Sequence, residues 1–199
     1  MSTSKIICSK DNIVLKKYNN NLCNNSDNFT IDLQIHNKLN LKMNNIINYK
    51  LLNLIGCINS DIIEKSEIVN NISESEIDVI YIFKRFGADF GISKKYCFLK
   101  TNIEYINEND IIIHSKSIQY LKPIDAKPII FNDNNLYIKN INEQLINIHY
   151  DFKAYIDEEM PMYMENILGI LMKKVLTNFK MFIENININN LDINNINNA

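Results

Sequence analysis

The sequence predicts an α+β domain in which a curved antiparallel sheet wraps around one long C-terminal helix. Three observations carry this. Apolar and polar residues alternate strictly in two stretches, Phe29–His36 and Ile146–Ala154, as half-buried strands do. Most other strand-like stretches are separated by short polar turns, so they connect as hairpins and the sheet is antiparallel. Finally, Met164, Ile167, Leu168, Leu171, Met172, Val175, Leu176, Phe179, Phe182 and Ile183 recur at helical spacing.

The elements follow in order. Residues 1–11 read as a leader, with a short strand at Lys5–Cys8, and Ile13–Tyr18 is the next strand. The Asn-rich segment 19–28 is a loop. Phe29, Ile31, Leu33 and Ile35 share one face of the following strand. Leu39–Lys42 suits either a strand or a helix entrance. Apolar residues at 43, 46, 47, 51, 52, 54 and 55 give a helix from Met43 to Ile55, with Gly56 as its stop. Asn59–Ile63 adds one more turn. Glu64–Ile72 and Ile77–Lys84 pair through the polar turn 73–76, and Val79, Tyr81 and Phe83 share a face. The stretch Arg85–Ser93 holds two of the four glycines and reads as a loop. Tyr96–Asn102 and Asp110–Gln119 form a hairpin. Short strands at Ile129–Phe131 and Leu136–Lys139 flank a turn at Asn132–Asn135. The last strand places Ile146, Ile148, Tyr150, Phe152 and Ala154 on one face. Acidic Asp157, Glu158 and Glu159 and then Pro161 introduce the long helix, where acids suit the helix dipole and Pro loses no hydrogen bond. The Asn-rich tail 186–199 is of low complexity. The expected domain is therefore 12–185.

Composition excludes several function classes. The 199 residues allow one domain with a sizeable core. A net charge of −2 gives no electrostatic case for nucleic acid. Four scattered cysteines, Cys8, Cys23, Cys57 and Cys97, show no ligand spacing and read as reduced thiols. No stretch reaches the ~20 apolar residues of a membrane span, and the first residues lack the apolar core of a signal peptide. The expectation is a soluble, cytoplasmic protein. No nucleophile elbow, phosphate-binding loop, dinucleotide fingerprint or zincin motif is present. His36, His114 and His149 lie on three different strands, with His36 and His149 at solvent-side phases, so no metal site and no cofactor are expected. The acids 157–159 read as a solvated turn, and Lys173-Lys174 as a solvated helix face or a contact for acidic lipid headgroups.

The second half of the chain resembles the START family of lipid-transfer domains, which have the helix-grip fold. The segment Lys94-Lys95-Tyr96-Cys97-Phe98-Leu99-Lys100 is similar to the family signature R-D-F-V-x-x-R, with Lys95 in place of the acid. Tyr150 and Pro161 have the spacing of the family's last strand and the following proline. Tyr155 and Glu158 replace its Asp and Gly. The long amphipathic helix follows that proline, as in the family. The resemblance is best over Asp78–Glu184.

The resemblance implies a closed apolar cavity between sheet and C-terminal helix, holding one lipid, with the helix as lid. It implies a non-catalytic carrier, monomeric, touching membranes transiently and working at their periphery in the cytoplasm. An enzyme of cyclase or hydrolase type on the same scaffold, or a ligand-free adaptor, are the alternatives. The inward set it implies is Phe29, Ile31, Leu33, Val79, Tyr81, Phe83, Tyr96, Phe98, Lys100, Ile146, Ile148, Tyr150, Phe152, Met164, Leu168, Leu171, Met172 and Val175. The lipid contacts among them are expected at Tyr81, Phe83, Tyr96, Phe98, Lys100, Ile148, Tyr150, Phe152, Met164, Leu168, Leu171 and Met172. Lys100 shares the phase of Tyr96 and Phe98. In the cavity it would meet a lipid phosphate or an acidic partner, and at a strand end it would reach out to solvent. Sterol-binding members pair the matching base with a carboxylate, and Tyr81 stands where that acid would be. This favours a phospholipid slightly over a sterol.

Overall fold

The computed structural model describes residues 3–19, 27–40, 43, 47–86, 88, 91–156 and 166–185. Nine strands form one antiparallel sheet: β1 (Thr3–Lys10), β2 (Ile13–Asn19), β3 (Asp27–His36), β4 (Ile63–Asn71), β5 (Glu76–Phe83), β6 (Lys95–Tyr105), β7 (Asp110–Ser117), β8 (Lys127–Asn142) and β9 (Leu145–Ile156). Among the described residues two helices accompany it, α1 (Tyr49–Ile58) between β3 and β4, and α2 (Ile167–Asn185) after β9. The sheet order is β1-β2-β3-β9-β8-β7-β6-β5-β4. A three-strand meander is thus joined to a six-strand meander through β3 and β9. The chain crosses from the middle of the sheet to its far edge by way of α1. A short parallel contact of Lys95 and Tyr96 with Lys127 and Pro128 draws β6 towards β8, tightening the curve.

One face of this sheet is concave and apolar, and it carries the core. Phe29, Ile31, Leu33 and Ile35 of β3 and Ile146, Ile148, Phe152 and Ala154 of β9 are all buried. The α+β architecture with a curved sheet and a long C-terminal helix is as expected. α2 packs on β2, β3 and α1, presenting Leu168, Gly169, Met172, Leu176, Phe179 and Ile183. Gly169 permits a close approach: a Cβ there would sit 2.7 Å from the Phe29 ring.

Three expectations need correction and one is extended. The strand expected at Lys5–Cys8 is part of a longer one, β1, which pairs with β2 through a tight turn at Asp11 and Asn12. Both turn residues have positive φ, 55° and 59°, which Asp and Asn tolerate better than most. Gly56 does not stop α1, which runs to Ile58. Its missing side chain instead lets α1 press on β4, since a Cβ would fall 1.9 Å from the Ser66 Oγ. The segment Leu39–Lys42 is neither strand nor helix at its described positions. It turns at Asn40, whose φ is 51°. The two short strands around Asn132–Asn135 are one strand, β8. Its Asn residues pair with both β7 and β9, and a bulge between Phe131 and Asp133 absorbs the irregularity. Pro161, the acids 157–159, Cys23 and the tail 186–199 lie outside the described residues.

Candidate functional site

The strand register fixes which side chains share the concave face. Tyr150 pairs with Leu136, and Phe152 with Asn134. Leu136 pairs with Ile113, and Asn134 with Ser115. Ser115 pairs with Thr101. Thr101, Leu99 and Cys97 pair with Ile77, Val79 and Tyr81 of β5. Cross-strand partners point to the same side of a sheet, so all of these face α2.

Between them and α2 lies a cavity of about 130 Å³. Tyr81, Phe83, Cys97, Leu99, Thr101, Ile113, Ser115, Phe131, Asn134, Leu136, Ile138 and Tyr150 line it from the sheet. Leu52 and Ile55 of α1, with Ile63, line one side, and Met172, Val175, Leu176 and Phe179 of α2 cover it. No charged side chain is among the described lining residues. A void of ~150 Å³ accepts a molecule the size of benzene, whereas drug-sized ligands occupy about 300–1,000 Å³. The space between sheet and α2 is narrower than that range.

The polar groups of the cavity are few. The Tyr81 hydroxyl donates to the Leu52 carbonyl at 2.7 Å, tying β5 to α1. Burial pushes the Tyr81 and Tyr150 phenols well above their ordinary range, and the Cys97 thiol up to about 12. All three are therefore neutral. The Thr101 and Ser115 hydroxyls share a hydrogen bond of 3.0 Å. The side-chain oxygen of Asn134 is buried and has no partner among the described residues.

Of the expected contact residues, Tyr81, Phe83, Tyr150 and Met172 line the cavity, as does Val175 of the wider inward set. Ile148, Phe152 and Leu168 are buried in the core beside it, where Phe152 stacks between Phe29 and Tyr150 at ring separations of 5.2 and 4.8 Å. Leu171 is half-buried against that core. Met164 lies outside the described residues. Tyr96, Phe98 and Lys100 are on the opposite face of the sheet, and their assignment to the cavity is corrected. β6 is apolar in both phases, so its sequence does not say which phase faces inward. The outer aromatics are covered by Tyr120, whose ring lies 5.0 Å from that of Phe98 and 6.1 Å from that of Tyr96. Lys100 forms an ion pair with Glu76 at the surface, and its pKa is raised by that hydrogen bond and charge. Its charge was the available signal: a lysine in the phase of Phe98 marks that phase as outward.

The three histidines do not converge. His114 contacts Asn135 and Glu104, and His149 contacts Asp32 and Asp151, both on the outer face. The backbone N–H of His36 donates to Glu184 of α2. No helix among the described residues is long and apolar enough to cross a membrane.

No known family model matches the sequence, and no curated protein does. Solved structures do match in shape. The human StarD13 (DLC2) lipid transfer and protein localization domain superposes with a TM-score of 0.73 at 8% identity, covering 94% of this chain and 91% of that one. This chain has the helix-grip fold of the START structures. A STAR-related lipid transfer protein from Xanthomonas axonopodis gives 0.68 at 8% identity, over 90% of this chain and 98% of the other. The Zhui aromatase/cyclase from a Streptomyces species gives 0.51 at 9% identity, over 80% and 92%. The helix-grip fold thus accompanies both lipid transfer and an enzyme title, and the fold alone does not choose between them.

Proposed function

We propose that this protein is a non-catalytic carrier that takes up one lipid into the cavity between sheet and α2. The observation that carries this reading is the lining. It is almost wholly apolar, and among the described residues one amphipathic helix, α2, lies across it. Transfer of hydrocarbon from water into such a space is favourable by ~25 cal/mol per Å² of apolar surface, without any strong polar contact. The described lining offers no carboxylate or imidazole for acid–base chemistry, and its phenols and thiol are held neutral, which favours a carrier over a cyclase-like enzyme.

The cavity's closed size makes one demand. A lipid enters only if α2 moves away from β5–β8, and the same motion releases it. The lid also brings the protein to a membrane surface transiently, since that is where a carrier exchanges cargo. The slight preference for a phospholipid rested on Lys100 facing the cavity. Lys100 is paired with Glu76 on the outer face, so that preference loses its ground.

The test is lipid uptake. Purified protein is incubated with mixed liposomes, re-isolated and extracted for lipid mass spectrometry. One lipid per chain is expected. Met172→Trp or Val175→Trp fills the cavity and should cut uptake at least tenfold while the thermal midpoint stays within a few degrees. Wild-type protein that returns empty from every liposome composition ends the carrier reading.

A further inference from the structure

Besides the Tyr81 and Tyr150 phenols and the Cys97 thiol, the described cavity wall carries one polar patch. Thr101, Ser115 and Asn134 are direct cross-strand neighbours on β6, β7 and β8, so they form one polar row across the concave face. Thr101 and Asn134 are almost wholly buried, at 1% and 4% exposure. The two hydroxyls satisfy each other at 3.0 Å. The Asn134 oxygen has no partner among the described residues. Of the buried side-chain oxygens that lack a partner, Asn134 is the one whose residue lines the cavity. Natural interiors rarely keep a buried amide unpaired, because desolvation without a hydrogen bond is costly. A nearly isosteric leucine would fit an apolar wall better. An amide is useful there only if something else completes it.

We propose, building on the carrier reading, that the cargo is a neutral lipid bearing a free hydroxyl, and that Asn134 is the residue that selects it. The hydroxyl donates to the Asn134 oxygen, and the Thr101–Ser115 pair lies beside it as a further acceptor and donor. The last torsion of an asparagine is soft and two-fold, so the carboxamide turns its oxygen to the cavity when a donor arrives. Charge argues the same way. With no cation on the described lining, an ionised carboxylate or phosphate next to this patch would be buried without a counter-charge. A site built to receive a hydroxyl discriminates strongly against the analogue that lacks it, because the buried acceptor is then stranded.

The experiment uses matched probes on the full chain: a fluorescent sterol with a free hydroxyl, its methyl ether, a fluorescent diacylglycerol, its hydroxyl-acetylated triester, and a fluorescent phosphatidylcholine. The expected result is that at least one hydroxyl probe binds tenfold or more tightly than its capped partner and than phosphatidylcholine. Asn134→Leu should erase that difference, bringing the two members of the pair within about twofold. The same variant, without ligand, should melt no lower than wild type, since an unpaired buried amide has been replaced by an apolar group of similar size. Ser115→Ala serves as the second variant if Asn134→Leu does not fold, and should reduce the discrimination. If wild type binds capped and free probes equally, or prefers phosphatidylcholine, the hydroxyl assignment is overturned and the carrier reading stands. If Asn134→Leu folds and keeps the full discrimination, Asn134 is not the selecting residue. If no probe binds at all, both readings fall together.

Discussion

At the scale of single residues, the outer face of the sheet holds a charged cluster that ties β2, β3 and β9 together. His149 Nδ1 lies 2.6 Å from Asp32, and its Nε2 lies 2.9 Å from Asp151. Asp32 also accepts from Lys16 at 3.0 Å. Partial burial by itself would lower the His149 pKa, but the bonds and charges of Asp32 and Asp151 outweigh it and raise the value. For Asp32, burial pulls upward and is outweighed by His149 and Lys16, which hold it low. The signs fix the pH window. A raised histidine stabilises the fold below its unfolded value, near 6.5, and that contribution is lost as pH rises through the folded value. A lowered aspartate stabilises above its unfolded value and fails as pH falls through the folded one. His149→Gln should therefore cost more stability at pH 5.5 than at pH 8.5 in urea melts. Equal losses at both pH values would show that the cluster carries no proton-linked stability. The side chains are partly exposed, so the effect is screened and shrinks in high salt. That His149 faces outward was legible from alternation alone. Its partners were not, because Asp32 is 117 positions away and only the β3–β9 register brings the two opposite each other.

At the scale of elements, strict alternation and helical periodicity placed β3, β9 and α2 close to where they lie, because each buries one face. The failures share a cause. β6 and β8 do not show a single apolar phase. In β6, Tyr96 and Phe98 compete with Cys97 and Leu99, and both sets find cover, one under Tyr120 and one in the cavity. In β8, Asn132–Asn135 imitates a turn, but a strand flanked by two partners keeps its backbone bonded through β7 and β9 and passes the irregularity into a bulge. Only the Lys5–Cys8 part of β1 is legible, because β1 is an edge strand whose apolar residues are exposed or half-buried. Gly56 was read as a stop because glycine ends many helices. Its actual task is the approach of α1 to β4. Gly56→Ala places a methyl group 2.5 Å from the Ser66 Cβ and 1.9 Å from its Oγ. Neither is a distant, flexible atom, so helix and strand must separate. The expected loss is about 1–3 kcal/mol, read from chemical denaturation, and adding Ser66→Gly should recover most of it. A Gly56→Ala protein as stable as wild type would mean that α1 is free to shift on β4.

At the scale of the whole molecule, the proposed carrier role requires a cavity of about 130 Å³ to admit a lipid several times larger. The sheet is a single hydrogen-bonded unit from β1 to β4, and parting its strands would break ladders on both sides. α2 is held differently, by side chains. Near its middle, Lys174 pairs with Asp61 at 2.7 Å, and Asn178 donates to Asn59 and Asp61 at 3.0 and 3.2 Å, joining the helix to the turn after α1. Near its end, Lys180 donates to the Gln34 carbonyl and to Glu184, which itself receives the His36 N–H. Lys180 is almost fully buried, at 8% exposure, so its contacts are dry and firm, while the Asp61–Lys174 pair is exposed to water and weak. On the proposed carrier role, the end at Lys180 is expected to act as the hinge, and the stretch from Met172 to Asn178 is expected to lift. The prediction is specific to that geometry. In a background with Cys8, Cys23 and Cys57 changed to Ser and the buried Cys97 retained, Asp61→Cys and Lys174→Cys are joined by a short bismaleimide. The linked protein should lose lipid uptake at least tenfold, while each protein with only one of the two new cysteines, carrying the same reagent, loads normally. Uptake at the unlinked rate would show that cargo enters without α2 lifting from the Asp61 turn, and that the route lies elsewhere on the rim of the sheet.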